Sequence, residues 1–129
     1  MENELKERRD NLNRLLDSYH RYRSLLDEFK FEKMRYVRAY DKFTLAVQEY
    51  ENTDSTDAAA LAQAQAEYDK WKDMAAKDYD NCMELKIKGD AALRELQALK
   101  KLFLPEASTE GFEDAVLKAL ADVEAQLED

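Results

Sequence analysis

Reading every seventh residue from Leu15 returns Leu15, Tyr22, Phe29, Tyr36, Phe43 and Tyr50, all large and mostly aromatic. A companion row three residues earlier holds Leu12, Tyr19, Leu26, Lys33, Tyr40 and Val47. Rows offset by three and four residues in a heptad draw one apolar seam along a helix. The first glycine stands at position 89 and the only proline at 105. Nothing before the polar cluster Asn52-Thr53-Asp54-Ser55-Thr56-Asp57 therefore breaks that helix. The side chains of the cluster compete for backbone hydrogen bonds and favour a turn.

The first helix is expected over about 3–51, capped by Asn3, with Glu4 and Glu7 favoured by the helix dipole. A loop at 52–54 leads into a second helix over about 55–103, with Asp54 or Ser55 as its cap. Its seam starts as Leu61, Ala64, Tyr68, Trp71, Ala75 and Cys82, with Asp78 in a core row. Tyr79, Met83, Ile87, Leu93, Leu96, Leu99, Leu102 and Phe103 then suggest a shift of phase, a stutter. Gly89 suggests a close helix contact or a mild kink. Pro105 stops the helix, and Ser108 or Thr109 is the expected cap of a third. In that helix Phe112, Val116, Ala119, Leu120, Val123 and Leu127 form one stripe.

The expected fold is all-α. Residues 1–104 form a long antiparallel helical hairpin, coiled-coil-like and about 70–75 Å from end to end at 1.5 Å per residue. Residues 105–129 add a loop and a short acidic amphipathic helix, and oligomerisation is expected to complete the fold. Two glycines and one proline in 129 residues leave too few turn formers for a β-rich or Rossmann-type chain.

Charge is unevenly spread. Residues 1–50 carry eleven Lys/Arg and ten Asp/Glu, 51–104 carry eight and eleven, and 105–129 carry one and eight. A net charge of -9 disfavours nucleic acid, whose phosphates repel such a chain. The lone Cys82 excludes an internal disulfide and a cysteine-based zinc site. The charged first ten residues hold no signal-peptide core, and no apolar run reaches the ~20 residues of a membrane span. A soluble, cytoplasmic setting is the expectation.

No constellation points to catalysis. His20 stands three residues after Asp17, but one such pair falls short of a di-metal carboxylate site. Cys82 sits in the seam with no base placed by spacing, and two glycines build no phosphate loop. The chain is expected to be no enzyme, with no cofactor, no metal and no small-molecule substrate.

What the hairpin leaves over is apolar surface. Leu16, Leu25, Val37, Ala39 and Ala46 widen the seam, and Phe31 and Met34 lie farther round, among Arg35 and Arg38. Exposed residues of this kind mark an interaction surface. The expected role is an assembly or adaptor subunit that binds protein, either itself or another subunit. Its contacts would be Leu16, Leu25, Phe31, Met34, Arg35, Val37 and Arg38, with Phe112, Val116, Leu120 and Val123 from the third helix. A second expectation is a small acidic inhibitor or mimic acting through residues 106–129. A third is binding of an anionic surface, lipid or nucleic acid, by a basic flank that includes Arg14, Arg21, Arg35 and Lys42.

Overall fold

The computed structural model describes residues 1–128. It is all-helical: α1 spans Glu2–Asn52, α2 Ala58–Phe103 and α3 Phe112–Glu128, with no strand among the described residues. No helix is long and apolar enough to cross a membrane among the described residues.

The helix ends correct several expected caps. Leu5 N donates to Met1 O at 3.1 Å, so Asn3 lies inside α1 rather than capping it. Asp54 does not cap α2 either. Its Oδ1 accepts from Thr56 N at 2.9 Å and from Thr56 Oγ1 at 2.7 Å, closing an Asx turn. Those two bonds hold its carboxyl below the ordinary value. Asp57 caps α2 instead, its Oδ1 accepting from Ala60 N at 3.1 Å. The helix thus begins three residues later than the cluster suggested.

At the far end of α2 the Arg8 guanidinium donates to Phe103 O, satisfying a carbonyl the helix leaves unpaired. Neither Ser108 nor Thr109 caps α3. Ser108 Oγ donates to Glu110 O at 2.7 Å, and the helix opens on Gly111, whose carbonyl accepts from Ala115 N at 3.0 Å. Gly111 has φ +70°, a conformation a residue with Cβ adopts only at a cost.

The chain divides into two compact units, one made of Met1–Leu25 with the chain from Lys88 onward, the other of Leu26–Ile87. The first packs the start of α1, the end of α2 and all of α3 around Leu15, Leu96, Leu99, Leu104, Ala107, Phe112 and Val116. Leu12, Leu15 and Val116 are fully enclosed. Tyr19 meets Phe112 at 5.3 Å between ring centroids, so α3 docks on its own chain. Burying Phe112 and Val116 contributes roughly 1.5–3 kcal/mol each.

In the second unit the rest of α1 and the start of α2 pack side by side. Tyr36 meets Tyr79 at 5.6 Å, Phe43 meets Tyr68 at 5.3 Å and Tyr50 meets Tyr68 at 5.9 Å. As α1 residue numbers rise, α2 numbers fall, so the two segments are antiparallel. The buried positions here are small: Ala39, Ala46, Ala64, Ala75 and Cys82, with Asp78 among them.

Two features of the seam differ from expectation. Along α1 the companion of the Leu15–Tyr50 row runs three residues later, not earlier: Ser18, Leu25, Glu32, Ala39 and Ala46 are buried or half-buried. Lys33 and Tyr40, expected inside, are exposed. Alanines let two helices approach closely while the aromatic row fills the space beside them. Of the row through Leu12 and Tyr19, Leu12 is fully enclosed, Tyr19 packs against the first unit's core with Phe112, and Leu26 and Val47 are half-buried.

Along α2 there is no stutter. Asp78, Cys82, Leu85, Gly89, Ala92, Leu96 and Leu99 continue one heptad, all buried or half-buried, while Tyr79, Ile87 and Leu102 point outward. A Cβ placed at Gly89 meets nothing within 4 Å, so no helix approaches it closely.

Candidate functional site

With one face of α1 spent on the seam, the second unit leaves the opposite face bare. Lys30, Met34, Val37, Asp41 and Leu45 recur at i, i+4, i+7, i+11 and i+15, one stripe on a helix. Together with Lys33, Arg38 and Lys42 they line an open, shallow trough. The apolar members are strongly exposed, Met34 71%, Val37 48% and Leu45 61%, and Phe31 beside the trough is 62% exposed. Four such side chains within four turns form a contiguous patch rather than scattered apolar residues.

The charged rim is partly engaged on its own chain. Arg35 Nη1 donates to Glu32 Oε1 at 3.4 Å, a pair three residues apart. The Lys42 ammonium stands 4.6 Å from the centre of the Trp71 ring, a cation–π contact. Trp71 Nε1 in turn donates to Glu67 Oε2 at 3.1 Å. Lys30, Lys33, Arg38 and Asp41 are exposed on the trough.

The eleven contact residues expected from the sequence fall into two groups. Phe31, Met34, Arg35, Val37 and Arg38 share this outer face and are exposed. The other six are occupied within the chain. Leu16 and Leu120 pack against the first unit's core, Phe112, Val116 and Val123 are buried, and Leu25 is half-buried in the seam row. Leu45 was missed, although its spacing from Met34 and Val37 placed it on the same stripe.

The chemistry-bearing side chains lie elsewhere. His20 Nε2 is 3.1 Å from Glu113 Oε1, both half exposed, linking α1 to α3. Cys82 is buried. Burial, then the negative Glu32 and Asp78, push its thiol above the ordinary value, and Lys33 opposes them. That shift is away from a nucleophilic thiolate. One Glu32 carboxylate oxygen, Oε2, is buried without a hydrogen-bond partner. Among the described residues no group of three His, Cys, Asp or Glu side chains is placed to hold a metal ion.

Comparison of the chain with protein-family models, with curated proteins and with solved structures finds no match. What the molecule does must be argued from its surface.

Proposed function

We propose that this chain is a non-enzymatic assembly subunit that binds another protein through the outer face of α1. One observation carries the reading: Phe31, Met34, Val37 and Leu45 are exposed together on the side of α1 turned away from its seam. Leaving them in water forgoes roughly 1.5–3 kcal/mol per side chain that burial would return. A protein partner that covers them recovers part of that sum and removes an aggregation hazard. Within the second unit, the α2 segment packed on the seam of α1 serves in this reading as the scaffold for the stripe. The reading is non-enzymatic because the one thiol, Cys82, is buried and the one imidazole, His20, lies with Glu113 away from the exposed stripe.

An inhibitor or mimic acting through residues 106–129 has less to work with, since the apolar side of α3 is enclosed in the first unit. Its outer face keeps Asp114, Asp122 and Glu124 exposed, which offers charge without an apolar anchor. Binding of an anionic membrane is opposed by Asp41 within the trough and by the net charge of -9.

The test is a triple variant, Met34→Ser, Val37→Ser and Leu45→Ser, whose sites are solvent-exposed. Circular dichroism should match the parent, while sedimentation should show the parent in a larger species and the variant alone. A parent that sediments as a monomer, and retains no protein that the variant loses, sinks the reading.

A further inference from the structure

The outer face of α1 in the second unit is self-complementary, and that names its partner. Its contact positions, Phe31, Met34, Arg38, Asp41, Leu45 and Gln48, are spaced by three and four residues, the spacing of a coiled-coil seam. Their charges divide in the middle. On the N-terminal half Lys30, Lys33 and Arg38 are exposed; on the C-terminal half Asp41 and Glu49 are exposed. Between residues 30 and 49 the two charges of opposite sign are engaged within the chain, half-buried Glu32 with Arg35 and Lys42 over Trp71.

We propose that a second copy of this chain covers the face, antiparallel, about a two-fold axis between Arg38 and Asp41. The proposal rests on the assembly reading above. In that alignment Met34 meets Leu45 of the second copy, Phe31 meets Gln48, and Arg38 meets Asp41. Each contact occurs twice by symmetry. Basic half lies over acidic half on both sides of the axis. A parallel pair would set like charges against each other, which weakens association. Burying a reciprocal Arg–Asp layer between apolar layers fixes register, because a slip by one heptad sets Arg38 against Met34 and Asp41 against Phe31 in one direction, and Asp41 against Leu45 in the other. The product is a four-helix arrangement in which each copy contributes its α1 and α2 segments.

Charge reversal decides the matter, since Arg38 and Asp41 are exposed and reversing them leaves the buried seam intact. Dimer dissociation constants are measured by sedimentation for the full chain, with helicity checked for each variant. Arg38→Asp and Asp41→Arg should each weaken the dimer about tenfold or more. The double variant, or an equimolar mixture of the two single ones, should recover affinity, because opposite charges meet again. Orientation is read by cysteine pairing under oxidation. Met34→Cys mixed with Leu45→Cys should cross-link. Met34→Cys alone should not, as its two copies stand about 16 Å apart along the axis, 11 residues at 1.5 Å, well beyond disulfide reach.

A parent that stays monomeric at 100-micromolar order, a dimer indifferent to both reversals, or Met34→Cys linking to itself overturns the proposal. If the parent is monomeric but the exposed stripe still binds a different protein, the antiparallel dimer fails and the assembly reading stands. If the triple serine variant also changes nothing, both fall.

Discussion

Gly89 and Gly111 are the two glycines of the chain, and they have opposite jobs. Gly89 sits in the half-buried seam row of α2, with helical backbone and open space where a Cβ would go. A glycine inside a helix costs about 0.5–1 kcal/mol relative to alanine, mostly through the freedom of the unfolded chain. Gly89→Ala is therefore expected to stabilise by that amount. Gly111 also has open space around its Cβ position, but its φ of +70° makes alanine strained by about 1–2 kcal/mol. Gly111→Ala is expected to destabilise. Urea titration of the two variants separates a conformational origin, with opposite signs, from a simple effect of added volume. Neither outcome is visible from glycine's identity alone. Both positions lack steric neighbours, and backbone angle alone makes the difference.

The three helices show how an apolar stripe acquires its meaning from its neighbours. In α3, Phe112, Val116 and Val123 form a stripe that serves equally well for an internal dock or a foreign one. The structure uses it internally, against Leu15, Leu96, Leu99 and Leu104. Phe112→Ala should then cost about 3–5 kcal/mol of stability, the usual penalty for emptying a buried aromatic site. If α3 instead served only a partner, the isolated chain's unfolding midpoint would hardly move. For α1 the heptad row from Leu15 to Tyr50 was legible at once, and so were its length and its end near Asn52. Its true companion row was not. Ser18, Glu32, Ala39 and Ala46 are small or polar, whereas Leu12, Tyr19, Leu26 and Tyr40 are large and apolar, so hydrophobicity finds the row that is covered at Leu12, Tyr19 and Leu26 and passes over the small one. The seam chose the small row because Ala39 and Ala46 allow α2 to come close. The α2 stutter has the same origin: Asp78 and Gly89 occupy seam positions that apolar counting skips.

For the whole molecule the question is what happens to the surface left over. The first unit closes on itself because three helix segments surround one core. The second has two, and a pair of helices leaves the far side of each in water. That is why Phe31, Met34, Val37 and Leu45 remain exposed despite a chain rich in helix-covering charge. Association through this face should depend on ionic strength in a particular direction. With basic half opposed to acidic half, raising salt from about 0.05 to 0.5 M shortens the screening length from roughly 14 to 4 Å and should weaken the complex. Contact through apolar side chains alone would hold or tighten under the same change. Sedimentation across a salt series distinguishes the two.

The sequence by itself determined the all-α class, three helices with ends within about three residues, both loops, and the stripe of each helix able to leave water. Those follow from local chemistry: spacing sets which residues share a face, and Gly, Pro and short polar residues set where a helix stops. Only the tertiary structure decided which positions α1 buries against α2, that α3 spends its apolar side on its own chain, and that Lys30, Met34, Val37, Asp41 and Leu45 stay bare. A heptad records angular position around one helix. Which angle meets a neighbour depends on the size of the side chains opposite, here alanines that admit close approach, and on how many helices are at hand to cover what remains.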